Sequence, residues 1–410
     1  MQNSLINDFG LTKTEIERYG RQIILQDFEI TGQACLKKAS VLVVGAGGIG
    51  SPLALSLVCS GIGIFDGFSL GKIGLVDDDF VEATNLHRQT LHTESRVGQS
   101  KVYSAATALR EHQSDCIIEP IEAWLDVENV SSLIEGYDVV CDASDNIPTR
   151  YLLNDACKRA KKHLVSASAI GWEGQIITFL WSEEDSNAPC YRCLFPTPPS
   201  SEFVVKCNDG GVLGPITSVI GHLQALEVIN LLRGSPNYCQ KMLFFDGKKG
   251  LSRCIQLRNK RVDCLGCSIP FAPLVELPLQ SCEIPLENVG FKELSVSALA
   301  VGVTGPLLLL DVRPSHHFKI GYLRSAVNIP SNVILRMRSI DELFINIEKV
   351  LSNLKDTPPL HSICVMCRRG IDSIHVSNHI LRLSDKVSVY NLKGGLLAWS
   401  REIDPNFPIY

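Results

Sequence analysis

Extended runs of like charge, a secretory leader and internal repeats are all missing from this 410-residue sequence. The first residues, MQNSLINDFGLTK, lack the basic and apolar regions of a secretory signal. A formal net charge of −5 and a pI near 6.1 argue against a general nucleic-acid binder. We therefore expect a globular protein of the cytosol that binds no nucleic acid directly.

One stretch without charge, residues 39–65, is long enough to cross a bilayer. It contains several glycines and a proline, which favour a buried strand, a glycine turn and a buried helix instead. We expect no membrane span.

Cysteine is abundant, and the fifteen cysteines form an odd, scattered set that does not resemble a disulfide framework. Three Cys-x-x-Cys pairs stand out: Cys190/Cys193, Cys264/Cys267 and Cys364/Cys367. A reducing compartment with metal or thiol chemistry fits this pattern better than secretion.

Helical patterns alternate with buried strands along most of the chain, after a helical stretch over 15–38. This alternation predicts an α/β fold with a doubly wound, Rossmann-like parallel sheet. The stretches KMLFFDGKKG and LSRCIQLRN predict a hairpin, and the proline-rich residues 268–290 predict a linker. The domains are then 1–267, the linker 268–290, and a smaller α/β domain over 291–410.

A glycine-rich loop, Gly45, Gly47, Gly48 and Gly50 in GAGGIG, follows an apolar strand and opens a helix. Such a loop lets the backbone approach phosphates, and the helix N-terminus supplies free N–H groups. The next strand ends at Asp77, which is placed to bind a ribose hydroxyl. Asp77 stands further from Gly50 than the roughly 20 residues usual for this motif, so an insertion lies between them.

Polar residues past this loop argue against a dehydrogenase. Asn85, Arg88 and Lys101 can hold a triphosphate, which hydride transfer does not need. Asp142 and Asp145 end the third strand, where an open sheet would hold magnesium. The alternative is solvated loop charge for Arg88 and Lys101, and helix capping for Asp145.

Two of the cysteine pairs, Cys190/Cys193 and Cys264/Cys267, are spaced to give a four-thiolate zinc site. All four tetrahedral positions would be filled, so this zinc would be structural. The alternative is a set of unrelated reduced cysteines. Cys364 lies within the apolar run ICVM and is expected in the core.

The stretch CVMCRRGIDS places Cys367 beside Arg368 and Arg369, before a helical stretch. Guanidinium groups and helix N-termini lower the pKa of a thiol, so the sequence predicts an activated nucleophile. The alternative is a buried cysteine before a basic turn.

The motifs RYGRQIIL, VVGAGGIGSP, DDDFVEATNLHRQTLH, VGQSK, CDASDN and APCYRC resemble the MoeB/ThiF adenylyltransferases, relatives of ubiquitin-activating enzymes. The resemblance covers about 15–267 and implies adenylylation by ATP of the C-terminal glycine of a ubiquitin-like protein. It implies nucleotide contacts from the loop glycines, Asp77, Asn85, Arg88 and Lys101, and Mg²⁺ at Asp145. It also implies a homodimer in which Arg21 enters the partner's site. One departure is IFDGFSLG (64–71), which looks like extra residues between the helix after the glycine loop and the next strand, and which bears on the packing beneath Asp77.

The motifs LLLLDVRPSHHFKIGYLRSAVNIP and NLKGGLLAWSREIDPNFPIY resemble those of rhodanese domains. This resemblance covers about 290–410 and implies that Cys367 carries sulfur as a persulfide. Ile371 and Ile374 stand where related fused proteins often have Asn and Gln.

The domain order resembles the eukaryotic molybdopterin-synthase sulfurylase family. It implies that the Cys367 persulfide attacks the acyl-adenylate of a Gly-Gly-ended sulfur carrier, and that a second thiol, Cys207, releases a thiocarboxylate. The implied sulfur source is a cysteine desulfurase or another donor. The implied pathways are molybdenum cofactor synthesis, tRNA wobble-uridine thiolation, or both. Two alternatives remain at this point: an activating enzyme whose second domain only docks partners, and a non-catalytic scaffold.

Overall fold

The computed structural model describes residues 9–64, 71–180, 187–198, 211–268, 290–302, 306–351, 362–384, 386–408 and 410. The chain divides into two compact units, Met1–Gln280 and Ser281–Tyr410. Cys207, residues 65–70 of the expected insertion and almost all of the expected linker lie outside the described residues. The domain limits at 267 and 291 therefore stay predictions.

The first unit is an eight-stranded sheet with helices packed on it. Its strands are β1 (Ser40–Val44), β2 (Lys72–Val76), β3 (Ile118–Ile121), β4 (Val139–Asp142), β5 (His163–Ile170), β6 (Glu173–Phe179), β7 (Lys241–Asp246) and β8 (Leu251–Gln256). Its α-helices are α1 (Lys13–Ile23), α2 (Glu29–Lys38), α3 (Gly50–Cys59), α4 (Lys101–His112), α5 (Val130–Glu135), α6 (Ile147–Ala160), α7 (Tyr191–Leu194), α8 (Gly214–Leu232) and α9 (Leu265–Ser268). Two short 3₁₀ turns lie at Ala83–Asn85 and Glu94–Arg96.

The strand order of this sheet is β3-β2-β1-β4-β5-β6-β7-β8. The five strands from β3 to β5 are parallel, and β6, β7 and β8 continue the sheet antiparallel. Because β1 lies between β2 and β4, the chain winds outward in both directions from β1. The loops after β1, β2 and β4 thus meet at one edge, the usual ligand position of an open sheet.

Two hydrophobic cores cover the two faces of the sheet. Successive residues of β1 show this: Val41 and Val43 belong to one core, and Leu42 and Val44 to the other. A strand buried on both faces needs apolar residues throughout, which explains the continuous run SVLVV.

The expected helix over 15–38 is two helices, α1 and α2. A capping box between Thr12 and Glu15 begins α1, and the chain then turns before α2. The break buries Phe28, which leaves only 7% of its surface exposed. Glu29 takes a positive φ of 55° at this turn. The helical prediction is confirmed over 15–23 and 29–38 and is wrong at 24–28, where the chain turns and buries Phe28.

Apolar helix α8 is the one helix in the described ranges with the length and composition to cross a membrane. Half of its apolar window is buried against the rest of the unit. Its buried Glu227 accepts hydrogen bonds from the Thr178 hydroxyl and from two backbone amides. Residues 40–59 of the uncharged stretch form β1, the glycine turn and α3, as predicted.

The second unit has a five-stranded parallel sheet in the order β11-β10-β12-β13-β9. Its strands are β9 (Lys292–Leu294), β10 (Leu308–Asp311), β11 (Val327–Asn328), β12 (Ser362–Met366) and β13 (Ser388–Leu392). Its helices are α10 (Val296–Val301), α11 (Ser315–Phe318), α12 (Ser331–Ile334), α13 (Ile340–Leu351), α14 (Asp372–Leu383) and α15 (Gly395–Glu402). Central strand β12 is buried and ends beside Cys367, so the core fixes the position of that thiol.

Candidate adenylation and sulfur-transfer sites

The glycine loop between β1 and α3 is a tight turn that only glycine fits at two positions. Gly45 has φ +98°, and a Cβ there would lie 2.8 Å from the Ala143 carbonyl oxygen. A Cβ on Gly50 would lie 1.8 Å from the Gly45 carbonyl oxygen. Gly47 and Gly48 line a cavity of about 450 Å³ above the loop. The loop is therefore built for close approach of a ligand to the backbone.

Asp77 and Lys101 lie on the β2 side of this cavity. The Asp77 carboxylate accepts a hydrogen bond from the Ala46 amide at 2.7 Å, which ties β2 to the glycine loop. Nζ of Lys101 lies 2.7 Å from the Asp79 carboxylate and 3.9 Å from that of Asp77. Lys101 is buried, whereas Asp79 is exposed. An anion of higher charge in the cavity can replace Asp79 as the partner of this ammonium group.

Arg88 lines the cavity and is held by Asn85. Its Nη2 donates to the Asn85 side-chain oxygen at 2.6 Å. Both residues were predicted to contact a nucleotide. Asn85 is not among the residues that line the cavity; it contacts Arg88 and supports that side chain.

The two acidic residues around the end of β4 have different environments. Asp142 is fully buried and accepts hydrogen bonds from the hydroxyls of Ser144 and Ser166, both at 2.6 Å. Asp145 is exposed and lines the cavity. The expectation that Asp142 could ligate magnesium is wrong because its oxygens are buried and occupied. Asp145 is the accessible carboxylate of the two.

Arg150 is a cavity residue that the sequence reasoning missed. Its Nη2 donates to the carbonyls of Ser144 and Ala167, at 2.7 and 3.0 Å. Its Nη1 lies 3.7 Å from the Asp142 carboxylate. The buried Asp142 is thus balanced by a cation that also joins the end of β4 to the middle of β5. The signal was a basic residue one turn into the helix that follows CDASDN.

The rim of the cavity is apolar on two sides. Trp124 and Leu125 line it beyond β3, and Ile170, Phe195 and Val212 line it beyond β5. Neither group was identified from the sequence, because single apolar residues at the end of a strand or in irregular segments have no periodicity. The polar loop therefore lies between two apolar flanks.

Arg21 lies away from this cavity in the single chain. It lines a separate surface cavity of about 240 Å³, together with Arg18, Leu25 and Cys59. Its predicted role depends on a second copy of the chain and stays a prediction.

Four cysteines gather into one cluster. The sulfur atoms of Cys190, Cys193, Cys264 and Cys267 all lie within 4.8 Å of one another. Three of the separations are 3.8, 3.5 and 3.5 Å. Tetrahedral zinc with Zn–S bonds of about 2.3 Å requires sulfur separations of roughly 3.8 Å.

The electrostatics of this cluster also suit a cation. Hydrogen bonding from Cys190 and contact with Lys158 lower the pKa of Cys267 to about 4, although burial opposes the change, whereas the hydrogen bond to Cys267 and burial raise the pKa of Cys190. The Arg261 amide donates to the Cys193 sulfur at 3.3 Å. A thiolate with these donors is in the form that zinc binds. The donor set therefore fits zinc.

Cys367 is buried in the loop after β12, with 1% of its surface exposed. The Gly370 amide lies 3.1 Å from its sulfur, and the Ser373 hydroxyl lies 3.4 Å from it. The carbonyl oxygen of Cys367 accepts from the Leu396 amide at 3.0 Å. The thiol is thus cradled by donors that stabilise negative charge on sulfur.

The predicted low pKa of Cys367 is wrong for this state. Burial raises the pKa of the thiol, and Asp372 raises it further, whereas hydrogen bonds from Ser373 and the Arg369 backbone oppose the rise. Desolvation outweighs these donors because the sulfur is enclosed. Cys364 is fully buried within β12, as predicted, and burial raises its pKa to about 12.

Comparison with known families matches both units. The ThiF family profile matches residues 19–266, and the rhodanese-like domain profile matches residues 298–402. The chain is also similar over nearly its whole length to curated proteins named adenylyltransferase and sulfurtransferase MOCS3. The protein from Drosophila yakuba is 42% identical over 98% of this chain and 86% of its own. The protein from Anopheles gambiae is 43% identical over 98% and 90%.

A plant relative and a solved structure extend these similarities. Adenylyltransferase and sulfurtransferase MOCS3-1 of Zea mays is 38% identical over 100% of this chain and 86% of its own. The crystal structure of E. coli MccB with MccA-N7isoASN matches 61% of this chain and 74% of that chain, with a TM-score of 0.52 and 22% identity. At that identity the match shows a shared fold alone.

Proposed function

Because this chain belongs to the ThiF family, in a form fused to a rhodanese-like domain, we propose that it activates and then thiolates the C-terminus of a ubiquitin-like sulfur carrier. By this membership it is an adenylyltransferase and sulfurtransferase. One observation carries the proposal. A phosphate-type cavity and a cradled cysteine occur in one chain that is 42% identical, over 98% of its length, to a protein bearing both activities in its name.

In the first step, ATP occupies the 450 Å³ cavity. The carboxylate of the carrier's last glycine attacks the α-phosphorus, and pyrophosphate leaves, which gives an acyl-adenylate. Lys101 and Arg88 are the cations that would hold the phosphates, and the backbone of Gly47 and Gly48 would approach them. We propose that Asp77 binds the ribose.

We propose that magnesium takes part in this adenylylation step. Asp145 is the residue we propose to hold it, because its carboxylate is exposed to the cavity whereas that of Asp142 is buried. Magnesium keeps several waters and needs few protein ligands when phosphates supply the rest. When bound, it would neutralise phosphate charge.

The carrier's tail is proposed to enter across the apolar flank formed by Ile170, Phe195 and Val212. Ile170 and Phe195 are 42% and 36% exposed and line the same cavity, so they offer apolar surface that a bound tail can cover. A Gly-Gly end is narrow enough to pass these side chains and reach the phosphates. This flank supports a protein tail as the acceptor.

In the second step, Cys367 carries the sulfur as a persulfide. Its terminal sulfur attacks the acyl carbon, AMP leaves, and an acyl disulfide joins the carrier to Cys367. We propose that the Cys207 thiolate attacks the Cys367 sulfur, which forms a Cys207–Cys367 disulfide and releases the carrier thiocarboxylate. A dithiol reductant then restores both thiols, and a cysteine desulfurase or another donor reloads Cys367.

Zinc would be held by Cys190, Cys193, Cys264 and Cys267, and with four protein ligands it would be structural. A reducing compartment, which we propose to be the cytosol, suits the free thiols found among the described cysteines. The products we propose to depend on the thiocarboxylate are molybdenum cofactor, thiolated wobble uridine in tRNA, or both.

We further propose a homodimer in which Arg21 completes the partner's site. Support comes from Ile24 and Leu25, which follow α1 and are 73% and 56% exposed. Exposed apolar side chains of this size mark association surfaces. Arg21 lies on the same cavity as Leu25, so association there would carry Arg21 into the interface.

Two assays test the proposed function. Exchange of labelled pyrophosphate into ATP, dependent on a Gly-Gly-ended carrier, reports the first step. Cyanide-reactive sulfur on the protein reports the second, and Cys367→Ala should remove that sulfur and leave the exchange unchanged. Exchange without cyanide-reactive sulfur would support a plain activating enzyme, and absence of both from a folded sample would support a scaffold. The relatives' names favour neither alternative.

A further inference from the structure

Tyr410 lies beside the sulfur loop, defined here as Cys367–Ile371. The centre of its ring is 5.3 Å from the guanidinium carbon of Arg368 and 5.4 Å from the ring centre of His317. A guanidinium group within about 6 Å of an aromatic face is attracted by the ring's quadrupole. The first basic side chain of the loop therefore has an aromatic neighbour from outside the loop.

Tyr410 is itself anchored on a buried ion pair. Nη1 of Arg313 donates to the Tyr410 hydroxyl at 2.5 Å. The same guanidinium binds Asp311 through Nε and Nη2, with Nη2 2.6 Å from the carboxylate. Arg313 and Asp311 are 2% and 0% exposed, so the anchor is rigid.

The chain is also held at Phe407 and at Pro408. Phe407 is buried in the core of the unit, and its carbonyl accepts a hydrogen bond from the Ser400 hydroxyl at 2.8 Å. Pro408 packs against Gly321, where a Cβ would lie 2.7 Å from the proline ring. Phe407 and Pro408 are thus tied to the fold of the unit, and Tyr410 is tied to it through Arg313.

The main chain of Arg368 is held from a different element. Its carbonyl oxygen accepts from the Leu397 amide at 2.9 Å, in the first turn of α15. The main chain of Arg368 is thus held by α15, and its guanidinium group lies beside the Tyr410 ring. Functional side chains are preorganised in this way when neighbouring residues that do not touch the ligand restrict their conformation.

We propose that Tyr410 is a positioning residue for sulfur transfer, which holds the Arg368 guanidinium beside the sulfur loop to receive an anionic sulfur donor. This inference rests on the proposed sulfurtransferase activity. With thiosulfate as the probe, the Cys367 thiolate attacks the outer sulfur, an S–S bond forms and sulfite leaves. A cation one residue from the thiol attracts the doubly charged donor. Tyr410 contacts Arg368, so it acts through that side chain.

The test is steady-state sulfur transfer from thiosulfate to cyanide by the full chain. Tyr410→Ala should raise the KM for thiosulfate by about 5- to 30-fold, the factor expected for a partly buried cation–π contact, with a much smaller change in kcat. Tyr410→Phe keeps the ring but loses the hydrogen bond from Arg313, so its KM should lie between those of the wild type and Tyr410→Ala. Tyr322→Ala is the matched control, because Tyr322 stacks on Phe318 in the same unit.

A double-mutant cycle separates this role from general loss of structure. Arg368→Ala and the double variant with Tyr410→Ala should have the same KM, since Tyr410 acts only through Arg368. Tyr410→Leu, which keeps apolar volume, replaces the alanine variant if the latter unfolds. Additive effects, or a fall in kcat at constant KM, would overturn the inference. Wild-type protein without any cyanide-reactive sulfur would instead overturn the proposed function.

Discussion

The Gly370 amide nitrogen lies 3.1 Å from the Cys367 sulfur, in a loop where that sulfur is almost fully enclosed. The donor stabilises negative charge on sulfur, and the enclosure disfavours it. Burial changes the pKa of the free thiol more than these hydrogen bonds do. A loop of this kind holds its nucleophile protonated until a donor arrives.

The pH dependence of Cys367 alkylation follows from this balance. Burial raises the pKa of the thiol above its ordinary value of 9.0, so the thiolate fraction keeps growing as pH rises past 9. We expect the rate of alkylation by iodoacetamide to increase without a plateau up to that pH. By linkage, stability due to the neutral thiol is present below the ordinary pKa and is lost as pH rises through the folded one.

Mass spectrometry of the labelled Cys367 peptide measures this rate, and Cys367→Ser gives the background. Ser373→Ala removes a donor that lowers the pKa, so it should slow alkylation further at each pH. A plateau near pH 7 would show that the donors outweigh burial.

Asp142, which ends β4, and Asp145, in the loop that follows, should respond differently to replacement by asparagine. Asp145→Asn should lower the rate of pyrophosphate exchange by about 100-fold or more, with little change in stability, because the carboxylate is exposed to the cavity. Asp142→Asn should lower the free energy of unfolding by about 1–3 kcal/mol, because it disrupts buried hydrogen bonds from Ser144 and Ser166. Exchange assays and chemical denaturation measure the two effects. Equal destabilisation by both changes would refute the assignment.

The cysteine cluster predicts one zinc ion per chain. Cys193→Ser should remove the zinc found by elemental analysis and lower the melting temperature of the first unit, because metal binding contributes to folding. Cys254→Ser is the matched control, since Cys254 is exposed on β8 and outside the cluster. Retention of stoichiometric zinc by the Cys193 variant would contradict the site.

If Arg21 acts across a dimer interface, two inactive variants should restore activity when they form a mixed dimer. Arg21→Ala and Lys101→Ala should each abolish most pyrophosphate exchange. A mixture of the two refolded together should recover up to about one quarter of wild-type activity, because half of the dimers are mixed and each mixed dimer has one intact site. If Arg21 acts within its own chain, the mixture would stay inactive.

The sequence predicted most of the strands and helices because the parallel strands are continuous apolar runs bounded by glycine, aspartate and caps. It missed β3, an edge strand whose Pro120 is compatible only with an edge position. It also missed β6, where GQIITF has a short apolar run that periodicity cannot assign.

The site residues likewise divide into those that the sequence predicted and those that it did not. Spacing identified the glycine loop and the four cysteines, because local geometry decides them. Burial explains the site properties that the sequence did not predict. It makes the Asp142 carboxylate inaccessible, unlike that of Asp145, and it raises the pKa of Cys367. Burial depends on contacts distant in sequence, such as those of Ser166 and Ala167 around Asp142 and Arg150. A single sequence does not reveal such contacts.

The most direct test of the proposed function is the intact mass of a Gly-Gly-ended carrier after incubation with this protein, ATP and a sulfur donor. We predict the replacement of one oxygen by sulfur at the carrier's C-terminus, dependent on ATP and lost in Cys367→Ala. An unchanged carrier mass, with the acyl-adenylate still trapped by hydroxylamine, would contradict the sulfur-transfer role of Cys367.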